Sequence, residues 1–588
     1  MLNKLCIALL LLLCTVSHLL AESRPNVVLI MTDDQGIGDF GCTGNPVIQT
    51  PHIDAMAKRS LRLNRFYVSP VCAPTRACLM TGRYNYRTRV VDTFNGRAMM
   101  DPTEITLAEV LRDHGYRTGI FGKWHLGDCY PMRANDQGFQ RSLVHRGGGI
   151  GQPSDPLEAA GQYTNPILMD DGEPKRFEGY CTDVYYENAL AFMREAAKAN
   201  EPFFVYLPDN CPHGPFEDAP KDWMKAYEGV DLGNDQFPTS RGEPLRKQAN
   251  LKKRQQIFSM ISNIDENIGQ LYSLLDELKI RENTIVIFMT DNGPNGNRYR
   301  CSLRGTKTSV YEGGIRTLFL WDWPRLGKRE RTSDVVAAHI DVLPTLLEAC
   351  HIPPPPVELD GRSFYAVCRD SDRQLPNRTL FIQTHRGNQP VAYHHFAAIG
   401  QRWKLVNHSG FGKETPDGEP NFELFDLQND PYEMKDIGPE NRGRVREIKA
   451  AYDRWFQDVS QTRVNNYDVP RIEIGADDEK VTVLSRQDWR RSPRHETPNE
   501  SRRQWLLSNP TERKYQVTIH FPRDLKFQTV ILHCNGRQFN SSQIPHARGK
   551  HRVVFQGIPL PQGNIKLWVS SPQADSDNLA YQVELKAM

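Results

Sequence analysis

The chain has no excess of charge of one sign. Lys and Arg number 73 against 71 Asp and Glu, a formal net charge of +2. That balance carries no electrostatic footprint of a nucleic-acid binder. A near-neutral chain must recognise a charged partner through a local site rather than through its global field. Cysteine is also scarce, at 12 in 588 residues, and none are spaced as a CxxC metal knuckle. Beyond the first few residues there is no apolar run long enough to span a bilayer, no solenoid-type repeat and no low-complexity tract. With 39% hydrophobic and 24% charged residues, disorder and fibrous architectures are excluded. At about 150 residues per domain, the length predicts about four domains, or fewer if one is a large α/β unit.

The N-terminal apolar run, Leu5 to Cys14, follows Lys4 and precedes a polar stretch that ends near Ala21. It falls short of the roughly 18–20 residues of a membrane span and has the n-, h- and c-regions of an export signal. Residues 1–21 are therefore expected to be a leader, and the mature chain secreted or periplasmic. Cys6 and Cys14 depart with that leader. Export permits disulfides among the other cysteines, but their spacings suggest no dense framework and leave the pairing open.

The chain's organisation follows from its periodicities. Asn26 to Met31 is a short continuous apolar run, as in a strand buried in a parallel sheet. It ends in Thr32-Asp33-Asp34. Thr284 to Met289 does nearly the same and ends in Thr290-Asp291-Asn292. Between them, helical patterns (105–112, 183–197, 255–278) alternate with strand patterns (118–121, 203–207). The expected fold is an α/β domain over 22–352, a large, mostly parallel sheet sandwiched by helices. Pro353-Pro354-Pro355-Pro356 marks its end. A smaller α+β subdomain is expected over 353–469. Short strands between turns from 470 to 588 predict an all-β, sandwich-like accessory domain.

Ligands of open parallel sheets sit beyond the carboxyl ends of the strands. Asp33, Asp34, Asp291 and Asn292 occupy such ends. Three carboxylates and an amide are hard oxygen donors, which suit Ca²⁺, or less well Mg²⁺, far better than zinc or copper. Either pair alone reads equally well as turn formers and helix caps. Their repetition at two strand ends favours the metal.

The segment Cys72-Ala73-Pro74-Thr75-Arg76-Ala77-Cys78-Leu79-Met80-Thr81-Gly82-Arg83 resembles the signature of the sulfatase family, C-x-(P/A)-(S/T)-R followed by x-x-L-(L/M)-T-G-R. Thr75 stands where serine is commoner. Gly122-Lys123-Trp124-His125-Leu126-Gly127, Cys211-Pro212-His213-Gly214-Pro215 and the stretch Arg304 to Arg316 extend the resemblance over most of residues 25–440. The resemblance implies that Cys72 is converted to formylglycine by a formylglycine-generating enzyme during maturation. The aldehyde hydrate would then attack sulfur with one hydroxyl and expel sulfate by deprotonation of the other. It further implies that Cys72 joins the four strand-end residues around the metal. Lys123 and Lys307 would hold sulfate, His125 would orient the diol, His213 would bind sulfate or protonate the leaving group, and Lys307 is a second candidate for that acid. Arg76 completes the cationic cluster. Glu312 and Arg316 read as structural.

These readings predict hydrolysis of an aryl sulfate or a sulfated carbohydrate. The alternatives are a phosphodiesterase or phosphonate monoester hydrolase of the same superfamily, or a non-catalytic protein that binds sulfated glycans. Specificity is assigned to loops 140–180 and 294–302. Gly147-Gly148-Gly149 is expected to be a flexible loop at the substrate mouth. His385, His394 and His395 could line the pocket, but the surface is the favoured expectation. Trp489, Trp505 and Trp568 are expected in a core rather than on a sugar. The oligomeric state stays open.

Overall fold

A computed structural model describes residues 24–238, 241–245, 250–327, 330–491, 503–521, 529–542, 546–548, 551–574 and 579–588. The expected leader, residues 1–21, lies outside the described residues. The main sheet comprises β1 (Asn26–Thr32), β2 (Leu61–Tyr67), β3 (Arg117–Lys123), β4 (Arg141–His145), β5 (Ile167–Asp170), β6 (Glu173–Arg176), β7 (Phe203–Pro208), β8 (Thr284–Thr290), β9 (Arg316–Thr317), β10 (Phe319–Asp322) and β11 (Arg331–Ala338). Their order across the sheet is β11-β2-β10-β8-β1-β7-β3-β4-β5-β6, with β9 beside β2.

β1 is buried along its whole length and runs parallel to both neighbours, β7 and β8. A strand so placed must be apolar on both faces. Val27, Leu29 and Met31 pack to one side with the helices Cys72–Thr81, Leu107–Asp113 and Val342–Ala349. Val28 and Ile30 pack to the other with Cys181–Ala199 and Leu251–Glu277. Strand β10 runs antiparallel to its neighbours, as do β5 and β6 to each other. The register pairs Thr32 with Thr290, so the residues that follow, Asp33 and Asp291, emerge side by side.

The strands Leu380–Gln383, Phe396–Ile399, Trp403–Asn407 and Glu423–Asp426 form an antiparallel sheet. Tyr452 and Trp455 of the helix Arg442–Val459 pack on it. That cluster also includes Tyr67, Tyr86 and Ile315 of the large domain.

The C-terminal region is a two-sheet β sandwich. One sheet contains Arg503–Asn509, Gly563–Ser570 and Ile531–Cys534; the other contains Val481–Ser485, Gln582–Ala587, Arg513–His520 and Arg552–Leu560. Alternate residues Tyr515, Val517 and Ile519 face the shared core around Trp505. Met99, Cys129 and Met132 of the large domain insert into this same core, so the sandwich is docked rather than tethered. Trp489, Trp505 and Trp568 are all buried, as core packing requires. The ten described cysteines, from Cys42 to Cys534, are free thiols.

Candidate active site

Cys72 opens the helix Cys72–Thr81 and is only 4% exposed. The backbone N–H groups of a helix's first turn lack partners and favour negative charge. Thr75 anchors this end: its hydroxyl donates to the Asp291 carbonyl at 2.7 Å and accepts from the Ser69 N–H at 3.0 Å. Its threonine thus performs a hydrogen-bonding task that serine would also perform. Arg76, one turn on, is fully buried. Its guanidinium donates to Asp291 Oδ2 at 2.8 Å and to the Lys123 carbonyl at 2.7 Å, and lies 3.8 Å from Asp33. Arg76 therefore organises carboxylates rather than reaching into the cleft.

Asp33 and Asp34 follow β1, and Asp291 and Asn292 follow β8. All four side chains are buried. Ligand atoms of Asp33, Cys72 and Asp291 lie within 4.8 Å of one another. Asn292 Nδ2 donates to Asp34 Oδ1 at 2.8 Å. Asp33 Oδ1, Asp34 Oδ2 and Asn292 Oδ1 are buried without a hydrogen-bond partner. An unpartnered buried acceptor costs about 1–3 kcal/mol, and three hard oxygens in that condition fit a divalent cation. Asp34 has φ 63°, in the left-handed region, a strain of about 1–3 kcal/mol that functional sites commonly carry. Arg298 stabilises this bend by donating to the Asp34 carbonyl while its Nε donates to Asp39.

Cations crowd the same carboxylates. Lys123, at the end of β3, pairs with Asp33, and Lys307 Nζ lies 2.5 Å from Asp34 Oδ1. Burial alone would raise the Asp33 carboxyl, but Lys123, His213, Lys307 and Arg76 hold it well below the usual range. Asp291 goes the other way, pushed up to about 7 by burial and then by the Asp33 charge. Burial would lower Lys307, yet Asp34 and the other acidic groups raise it, so it stays charged. The Cys72 thiol is raised by burial despite Lys123 and Lys307, the opposite of what thiolate chemistry needs.

His125 is 2% exposed, with φ 60°. Burial, then Lys123, push it well below the usual histidine value. Its Nε2 lies 2.8 Å from the Thr93 carbonyl, which can only accept. The neutral ring therefore carries its hydrogen on Nε2 and leaves a lone pair on Nδ1. His213 Nδ1 donates to the Gly214 carbonyl at 2.8 Å, and its Nε2 sits 4.0 Å from Asp34 Oδ2. Its side chain, 17% exposed, and that of Lys307, at 15%, are the most open of the set.

Two expectations need correction. Gly147-Gly148-Gly149 is a loop at the site, as expected, but it is buried rather than open to solvent. A Cβ on Gly148 would lie 3.0 Å from the His125 ring and one on Gly149 3.2 Å from the His213 ring. The glycines are there for close approach to both imidazoles. His385, His394 and His395 are buried rather than superficial, because each finds internal partners. His394 bridges Ser409 and the Lys413 carbonyl, and His395 Nε2 reaches the Thr308 carbonyl at 2.7 Å, next to Lys307. Thr93, Arg298 and the glycine contacts escaped the sequence reading. Their roles run through backbone carbonyls and packing, which leave no motif.

The family model for sulfatases matches residues 25–352, and that for the C-terminal region of N-sulphoglucosamine sulphohydrolase matches 306–459. The chain belongs to the sulfatase family. It is a sulfuric ester hydrolase, and its family uses a metal ion and a formylglycine. It is 32% identical to human arylsulfatase A over 399 residues, covering 63% of this chain and 73% of that protein. It is 27% identical to an ulvan-active sulfatase of Formosa agariphila, covering 71% of this chain and 77% of that one. Among solved structures, Ps i-CgsB in complex with k-i-k-neocarrahexaose superposes with a TM-score of 0.62 at 25% identity, over 75% of this chain and 94% of that one. Both family matches end before the β sandwich of this sulfatase begins.

Proposed function

We propose that this sulfatase removes sulfate from a sulfated glycan after export, with Cys72 matured to formylglycine by a formylglycine-generating enzyme and Ca²⁺ held by Asp33, Asp34, Asp291 and Asn292. The observation that carries this reading is the set of unpartnered oxygens of Asp33, Asp34 and Asn292 at the two strand ends, with Asp33 and Asp291 grouped around Cys72. When present, the hydrated aldehyde supplies the nucleophilic hydroxyl and the metal lowers its pKa.

The chain's own residues do the rest. Lys123 and Lys307 bring positive charge to the non-bridging sulfate oxygens, where charge builds in the transition state. His125, neutral with an unpartnered Nδ1, would serve as the base for a hydroxyl at residue 72. Lys307 and His213 are the more open pair. Lys307 stays charged and can return a proton to the leaving oxygen, whereas burial lowers the pKa of His213, so its Nε2 would act as an acid only after taking up a proton. Arg76 holds Asp33 and Asp291 in position from behind. The glycan assignment draws on the ulvan-active and neocarrahexaose-bound relatives, and export draws on the pattern of residues 1–21.

Mass spectrometry of the peptide containing Cys72, from protein made beside a formylglycine-generating enzyme, should read the aldehyde in place of the thiol. Cys72→Ala should abolish release of sulfate from an aryl sulfate. An unmodified Cys72 in fully active enzyme would sink this reading.

A further inference from the structure

The β sandwich lies outside both family matches, yet one of its turns reaches the wall of the active site. The turn links the strands Val481–Ser485 and Arg490–Arg491. Its residue Gln487 is 8% exposed. Gln487 Nε2 donates to the Thr93 carbonyl at 2.8 Å, the same oxygen that accepts from His125 Nε2 at 2.8 Å.

The turn and the loop Asp92–Arg97 are locked together around that oxygen. The Gly96 N–H donates to the Gln487 carbonyl at 2.8 Å. Trp489 Nε1 donates to Asn95 Oδ1 at 3.2 Å. Gly96 has φ +65°, and a Cβ there would stand 2.8 Å from the Asp488 carbonyl, so the approach demands glycine. Ser485 fixes the turn from inside: its hydroxyl accepts from the Gln487 N–H at 3.1 Å, and its carbonyl accepts from Trp505 Nε1 at 2.6 Å. Trp505 is the buried centre of the sandwich core. A continuous line of contacts thus runs from that core through Gln487 and Thr93 to His125.

We infer that Gln487 is a positioning residue for the sulfatase reaction, and that the β sandwich serves as a fixed part of the active-site wall by holding the Thr93 carbonyl against His125. The partner of a histidine's second nitrogen sets its tautomer and aim; at metal sites, removing such partners of the ligating residues costs about 10- to 100-fold in affinity or activity. Without Gln487 the carbonyl keeps its bond to His125 but loses the restraint on its direction. The inference rests on the role given to His125 above.

The test compares Gln487→Met, which keeps volume and removes the donor, with His125→Ala and the double variant, using an aryl sulfate and full-length, formylglycine-bearing enzyme. Gln487→Met should lower kcat severalfold, by less than the about 10- to 100-fold of removing a histidine's own partner, with KM within about twofold. In the His125→Ala background the same change should have no further effect, because the residue it acts through is gone. Wild-type kcat in a folded Gln487→Met enzyme, or an equal loss in both backgrounds, overturns the inference. Full activity of His125→Ala alone would instead overturn the role of His125. Should Gln487→Met fail to fold, Gln487→Ser carries the same comparison.

Discussion

Arg76→Ala probes the carboxylate cage directly. The wild-type guanidinium is 1% exposed, 2.8 Å from Asp291 and 3.8 Å from Asp33, and it satisfies the Lys123 carbonyl at 2.7 Å. Truncation leaves buried carboxylates short of a cation and a buried carbonyl short of a donor. Breaking a buried pair this way costs about 3–5 kcal/mol. At about 2 °C per kcal/mol for a large cooperative unit, the melting temperature should fall by roughly 6–10 °C. The control is Arg112→Ala, whose 37%-exposed side chain pairs with the exposed Asp113. Such a surface pair is worth about 0–1 kcal/mol, so the control should shift melting by no more than about 2 °C. Scanning calorimetry in EDTA and then in Ca²⁺ adds a second arm. An ion at 100 times its Kd stabilises by about 2.7 kcal/mol, and the increment should be larger in Arg76→Ala, where the carboxylates carry more uncompensated charge. Melting of Arg76→Ala within 2 °C of the control would refute this account of the cage.

Asp33→Asn or Asn292→Ala should erase most of the Ca²⁺-dependent rise in melting temperature, read by the same calorimetry. Trp505→Ala should cost about 3–5 kcal/mol through the cavity it leaves and should also lower kcat, since the turn that restrains Thr93 hangs from that ring; unchanged kcat in the folded variant would uncouple sandwich and site. Asp488 is pushed up to about 8 by burial and then by Asp128, so the folded state binds a proton that the unfolded chain releases near pH 4. Its contribution is fully present below that value and is lost as pH rises towards 8. Asp488→Asn should therefore raise the melting temperature at pH 8 and change it little at pH 4, as a pH series of thermal melts will check. Aryl sulfate should be turned over well ahead of an aryl phosphate diester in side-by-side assays, and the reverse order would contradict the specificity.

Much of the fold was legible because its strands obey one rule. β1 and β8 are buried on both faces, and only a continuous apolar run satisfies that; Val27 to Met31 and Ile285 to Met289 are such runs. The site was legible where a residue type is itself the function: carboxylates at strand ends, and a cysteine followed four residues later by an arginine on the same helix face. The sandwich was read less completely. In Arg503–Asn509 the face of Trp505 and Leu507 also carries Asn509, and the opposite face carries Leu506, so apolar and polar residues do not alternate cleanly; its longest pairing is with a strand more than 50 residues away. The buried histidines were misplaced for a related reason. An imidazole is polar by composition, but His394 and His395 meet their demands through backbone carbonyls and Ser409.

The link between Gln487 and His125 marks where sequence reading stops in principle. Thr93 takes part through its backbone oxygen, which every residue type possesses, so no identity at position 93 announces it. Gln487 takes part through an amide that would look equally at home on an exposed turn. Only Gly96 carries a compositional trace, because the approach of the Asp488 carbonyl leaves no room for a side chain. The cluster of carboxylates, lysines and histidines places charge, and residue types suffice to read it. The aim of His125 depends on which backbone the sandwich presses against the Asp92–Arg97 loop, a property of the docked interface. The expected agreement between loss of kcat in Gln487→Met and in Trp505→Ala follows from that interface being one rigid path.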